Sequence, residues 1–264
     1  MTPVAIITGA SAGIGAEFAR IFARNGHAVV LVARRKDRLE ALAGGIEAAG
    51  GRVPLVLPLD LTHRDASARI ADALAESGLE PEYVVNNAGF GLAGAAATRD
   101  RDELLAMIDL NMRVLTDLSL AFVDSLARRR GGILNVASVA GFLPAPGSAV
   151  YYATKAYVLS FSESLHSEMR PLGVRVTTLC PGPVSTEFQA RAGVAAQRVP
   201  FFDVPASRVA AAGYHGLMRG KRLVVPGLGN KLMTVVPRLI PRGWLMELAD
   251  RRQRARLTSP AAGA

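Results

Sequence analysis

Thr8-Gly9-Ala10-Ser11-Ala12-Gly13-Ile14-Gly15 decides how the rest of the chain is read. It follows an apolar run at 4–8 and opens an amphipathic stretch at 14–25. Glycines between a strand and a helix let the backbone approach a phosphate closely. The helix N-terminus adds free N–H groups and the positive end of its dipole. Further strand-like runs fall at 28–33, 53–59, 83–85, 132–137, 174–179 and 222–225. Each is short and nearly all apolar, as expected of strands covered on both faces of a parallel sheet. Helical patterns at 38–49, 67–77, 102–129, 150–170 and 206–219 separate them. Gly26 and Gly173 stand where left-handed helix ends are expected. The alternation predicts an α/β chain: a single-domain, doubly wound Rossmann fold with a mostly parallel seven-stranded sheet and helices on both faces. The catalytic domain is expected over 1–225, including a loop at 183–205, with an extension at 226–264 packed on it.

Charge is unevenly spread over the 264 residues. Residues 1–218 hold 21 basic and 20 acidic side chains, a net of +1. Residues 219–264 hold 10 and 2, a net of +8. A near-neutral main domain with 6% aromatics argues against a nucleic-acid partner. Cys180 is the only cysteine, which excludes an internal disulfide framework and a cysteine-rich zinc site. The four histidines (His27, His63, His166, His215) lack ligand spacing, so no metal is expected. The N-terminal run does not read as a secretory signal, and a cytoplasmic setting is expected.

Other motifs follow the glycine turn in order. Asp60-Leu61-Thr62 comes after the third strand, Asn86-Asn87-Ala88-Gly89 after the fourth, and Asn111 lies in the long helical stretch. Ser138 follows the fifth strand, then come Tyr151-x-x-x-Lys155 and Pro181-Gly182. In this order they resemble the short-chain dehydrogenase/reductase superfamily over about residues 4–225. The resemblance implies a hydride transfer between a nicotinamide cofactor and an alcohol/carbonyl pair. It implies that Gly9, Ser11, Gly13, Ile14 and Gly15 hold the phosphates, and that Asp60 and Leu61 contact the adenine. Asn87, Ala88 and Gly89 would lie along the cofactor, and Pro181, Gly182, Val184 and Thr186 near the nicotinamide. Lys155 would also hold the ribose hydroxyls, and Asn111 would bend its helix and hold a water leading to Lys155. Dimers or tetramers are expected from the same resemblance.

The residues themselves indicate which cofactor. A carboxylate after the second strand holds the ribose 2′-hydroxyl of NAD, whereas an arginine there suits a 2′-phosphate. This chain reads Val32-Ala33-Arg34-Arg35-Lys36. Guanidinium groups bind phosphate through paired donors, so NADP(H) is predicted, with Arg34 the main ligand and Arg35 assisting.

Tyr151 and Lys155 are four apart and share a helix face. A nearby ammonium favours the phenolate and is expected to bring the tyrosine down from about 10 toward the working pH. Tyr151 would then exchange a proton with the substrate oxygen, oriented by the Ser138 hydroxyl. A non-catalytic NADP-binding regulator would not need this set.

Phe188, Val194, Val199, Phe201 and Phe202, with Gly141-Phe142-Leu143-Pro144, supply apolar surface suited to a lipophilic ketone, aldehyde or alcohol. From 226 onward apolar residues alternate with Lys231, Arg238, Arg242 and the basic cluster at 251–256, broken by Pro237, Pro241 and Gly243. This suits an anionic membrane surface, as for an acyl or steroid ketone reductase. Packing over the cleft or against another subunit is the favoured expectation.

Overall fold

A computed structural model describes residues 1–192, 202–241, 243, 244 and 247. Seven strands form one sheet: β1 (Thr2–Thr8), β2 (Ala28–Ala33), β3 (Leu55–Pro58), β4 (Leu79–Asn86), β5 (Gly132–Val136), β6 (Arg175–Leu179) and β7 (Leu223–Val224). Their order is β3-β2-β1-β4-β5-β6-β7, and every pairing is parallel. The order reverses between β1 and β4, which opens a crevice at the carboxyl ends of the strands.

Both faces of the sheet are covered, as near-continuous apolar strands require. Within β1, Ala5 and Ile7 enter one core, while Val4 and Ile6 enter the other. The first core takes Phe18 and Phe22 from α1 (Gly13–Arg24), Leu39 from α2 (Lys36–Ala48) and Leu217 from α9 (Ala206–Met218). The second takes Ile70 from α3 (Ala66–Glu76), Leu118 from α5 (Leu115–Ala121), Leu126 from α6 (Val123–Arg129) and Leu165 from α7 (Ala149–Met169). Gly26 and Gly173 take φ of +85° and +74°, the left-handed helix ends expected of them.

The single helix expected over 102–129 is instead three. α4 (Arg101–Ile108) runs into a wide π turn at Asp109–Val114, then α5, then a break at Phe122 before α6. The π turn brings Asn111 inward, where its amide donates to the Phe90 carbonyl at 2.9 Å and the Thr154 hydroxyl at 3.1 Å. A one-residue bulge of this kind is a known way to re-aim a side chain within a helix.

Two further helices lie where no clear period was read. α8 (Glu187–Ala192) follows β6, and α10 (Leu228–Leu239) follows β7. Pro237 falls inside the last turn of α10 and Pro241 just after it, so the helix stops there. α10 lies against the segment Val139–Phe142. Its inward side carries Asn230 and Thr234, whereas Leu228, Leu232 and Val235 are exposed. No helix among the described residues is long and apolar enough to cross a membrane.

Candidate active site

The glycine turn closes on itself at the crevice. Gly15 abuts Gly9: a Cβ at Gly15 would lie 2.2 Å from the Gly9 carbonyl, so only glycine fits. Ala12 precedes α1 and offers no side-chain cap, and no acid lies in the first turn. The first N–H groups are therefore left for an anion. The residues that follow β4 prop the turn. Thr8 Oγ1 accepts the Asn87 and Ala88 amides at 2.9 and 3.0 Å, and Asn87 Nδ2 donates to the Thr8 carbonyl at 2.9 Å. This uncapped glycine cradle fits a dinucleotide phosphate.

The adenosine end is basic. Arg34 is exposed, with its guanidinium 3.7 Å from Asp60. Partial burial raises the Asp60 carboxyl, but the Thr62 amide and hydroxyl, with Arg34, bring it net below its usual value. Leu61 is buried beside it. Arg35 reaches back to the glycine turn, donating to Ser11 Oγ at 3.3 and 3.1 Å. Its other arm meets Glu187 of α8 at 2.8 Å, and Arg38 meets the same carboxylate at 3.1 Å.

The other end of the crevice gathers Ser138, Tyr151, Lys155 and Asn111. Ser138 lies two residues past β5 and caps the segment Val139–Phe142, where its Oγ accepts the Ala140 amide at 3.1 Å and donates to the Pro181 carbonyl at 3.4 Å. Tyr151 lies in the first turn of α7 within hydrogen-bond reach of Ser138. Burial pushes its hydroxyl up to about 12, against the opposing pull of Ser138. Lys155 is buried, and burial brings it down to about 8. Its ammonium donates to the Val136 carbonyl at 2.9 Å and stands 5.9 Å from the centre of the Tyr151 ring. The expected lowering of Tyr151 by Lys155 is not found in this arrangement: burial raises the hydroxyl, Tyr152 adds to the rise, and Ser138 opposes it. Cys180 neighbours the site, wholly buried, with its amide bonded to the Val224 carbonyl at 2.8 Å and its thiol pushed up to about 12 by burial.

The Pro181-Gly182 turn is held from behind by a residue that local motifs do not reveal. Asn230 of α10 is fully buried and donates to the Phe202 and Pro226 carbonyls at 3.1 and 2.8 Å. A Cβ at Gly182 would lie 2.1 Å from its Oδ1. Val184 is buried, and Thr186 rests on the glycine turn, 3.2 Å from where a Gly13 Cβ would stand. The Phe188 ring sits 5.8 Å from that of Tyr151. Val194, Val199 and Phe201 lie outside the described residues, as do Arg242 and the cluster at 251–256. Glu187 and Asn230 escaped sequence reading because their partners lie 152 and 28 residues away.

A Rossmann sheet with a phosphate cradle at one end of its crevice and a tyrosine, lysine and serine at the other defines a nicotinamide-dependent alcohol/carbonyl oxidoreductase. The family model for short chain dehydrogenases matches residues 3–196. The chain belongs to that family. Sulfoacetaldehyde reductase of Chromohalobacter salexigens is 41% identical over 192 residues, 71% of this chain and 75% of that protein. A short-chain dehydrogenase from Sphingobium yanoikuyae, solved with NADPH, superposes with TM-score 0.79 at 33% identity, covering 99% of this chain and 98% of that one. The bulky-bulky ketone specific alcohol dehydrogenase from Comamonas testosteroni gives TM-score 0.75 at 31% identity, covering 99% and 96%.

Proposed function

We propose that this enzyme is an NADP(H)-dependent reductase of bulky, apolar ketones, with Tyr151 as its proton donor. One observation carries the reading: the crevice gathers Ser138, Tyr151 and Lys155 at the end away from the uncapped glycine cradle, with Lys155 buried and its ammonium 5.9 Å from the centre of the Tyr151 ring. Bound NADPH would supply the hydride to the carbonyl carbon. Tyr151 gives its proton to the carbonyl oxygen while Ser138 hydrogen-bonds that oxygen and orients it. The Lys155 ammonium stabilises the phenolate left behind and holds the ribose hydroxyls. Asn111, anchored to Phe90 and Thr154, keeps α4 and α7 in register beside Lys155 and leads a water toward it.

Arg34 and Arg35 at the Ser11 end support the 2′-phosphate, with Asp60 and Leu61 flanking the adenine. Arg34→Asp should move the ratio of kcat/KM for NADPH over NADH toward NADH, and an unchanged ratio would refute the assignment. The extension supports bulky substrates. The bulky-bulky ketone specific enzyme superposes over 99% of this chain. Phe188 and Phe142 supply apolar walls. Exposed Leu105 and Ile108 on α4 and Leu120 on α5 support a homo-oligomer built on these helices.

Tyr151→Phe tests the chemistry. Turnover of a graded series of ketones should fall by about 10²–10⁴-fold with NADPH affinity unchanged. Retained turnover would leave an NADP-binding protein whose chemistry lies elsewhere.

A further inference from the structure

Three consecutive residues at the start of α8 touch three separate parts of the crevice. Thr186 rests on Gly13 of the phosphate cradle. The Glu187 carboxylate receives Arg35 at 2.8 Å and Arg38 at 3.1 Å. The Phe188 ring lies 5.8 Å from Tyr151, tilted by 54°. Arg35 is thus shared between Ser11 and Glu187, so a carboxylate already engages the donors that a 2′-phosphate would need. Those two arginines hold Glu187 below the usual carboxylate range, so it is an anion at neutral pH.

A phosphate monoester carries roughly −1.5 to −2 charges at pH 7 and three strong acceptor oxygens, against one charge on Glu187. It therefore competes well for the Arg35 fork. Arg38 lies one helical turn beyond Arg35 and faces no such competitor.

We propose that α8 couples the two ends of the crevice: Arg35 exchanges Glu187 for the 2′-phosphate, Glu187 shifts onto Arg38, and α8 moves with it, withdrawing Phe188 from Tyr151. This rests on the reading of Arg35 as a phosphate ligand. It makes Glu187 a positioning residue that ties cofactor choice to substrate access. NADPH, which carries the 2′-phosphate, uncovers Tyr151, whereas NADH leaves Phe188 over it.

Coupling of this kind is reciprocal. Removing the Phe188 contact should strengthen binding of a phosphate at the far end, which a purely local role would not do. The experiment is calorimetry of the full chain with adenosine 2′,5′-bisphosphate, and with adenosine 5′-monophosphate as the control lacking the 2′-phosphate. Glu187→Gln should tighten the bisphosphate about five-fold or more, the lower range of allosteric couplings. Phe188→Ala should tighten it by a smaller factor, and neither should alter binding of the monophosphate. Both side chains are exposed, so both variants should melt as the parent does. Unchanged bisphosphate affinity in Glu187→Gln overturns the exchange at Arg35. An unchanged value in Phe188→Ala alone overturns the link to Tyr151. Arg35→Ala separates this from the underlying reading: it should weaken the bisphosphate, and if it does not, Arg35 is no phosphate ligand and the coupling falls with it.

Discussion

Lys155, proposed to assist Tyr151, is buried at a cost to folding. Burial lowers it from 10.5 to about 8. Below about pH 8 the folded and unfolded chains both hold the proton, and the full penalty of burying the ammonium is present. Between about 8 and 10.5 the folded state holds fewer protons than the unfolded one, so stability rises with pH. Above that range neither is charged and the penalty is gone. At 1.36 kcal/mol per unit the penalty is of order 3 kcal/mol, at the upper end of the roughly 1.5–3 kcal/mol that a hydrogen bond from a charged group such as that to Val136 contributes. Lys155→Met should therefore denature at higher urea than the parent at pH 7, and the gap should shrink as pH rises from 8 toward 10.5. A variant less stable than the parent at pH 7 would show that the hydrogen bond outweighs the buried charge. The residues proposed to carry the chemistry, Tyr151, Lys155 and Ser138, were legible in the sequence as motifs in order. Their electrostatic balance was not. Spacing alone brings Tyr151 and Lys155 together, but only the packed structure shows the ammonium turned toward the Val136 carbonyl and burial raising the tyrosine.

α10 and the Pro181-Gly182 turn meet at one close contact. A methyl group on Gly182 would fall 2.1 Å from Asn230 Oδ1, so Gly182→Ala overpacks the joint. The expected loss is about 1–3 kcal/mol of stability, with a raised KM for the ketone. In an Asn230→Ala background the same change should cost little, since the obstructing amide is gone. A denaturant double-mutant cycle measures this, and additive losses would mean that the two residues do not press on each other. Strands and most helices here were legible because parallel strands buried on both faces must be nearly all apolar. β2 begins and ends where its apolar run does, at Ala28 and Ala33. The break in the helix expected over 102–129 was not legible. It depends on Asn111 bonding to Phe90 and Thr154, contacts made only after α4 and α7 come together. α8 and α10 were missed for a related reason. α8 has only six residues, and α10 carries its apolar stripe outward over a polar inward side, so neither shows the usual apolar side facing a core.

The sheet and the extension divide the work. The phosphate cradle, Arg34 and Arg35 belong to the first half of the chain, whereas Gly182 is backed by Asn230 from beyond β7. Truncation after Pro226 removes α10 but leaves all seven strands. The shortened protein should keep its affinity for adenosine 2′,5′-bisphosphate, because that end of the crevice has lost nothing. Its ketone turnover should drop about ten-fold or more, since a 1.4 kcal/mol disturbance at a positioned site already amounts to that factor. Unaltered turnover would make the extension dispensable to the chemistry.

Cys180 gives the molecule a built-in stopwatch. Its thiol is sealed where β6 meets β7, and its chain contains no second sulfhydryl. A thiol reagent supplied in excess can modify it only as fast as that seam parts, so each labelled molecule records one opening event. The pace of labelling with and without nucleotide then reads how firmly an occupied crevice holds the far edge of the sheet closed.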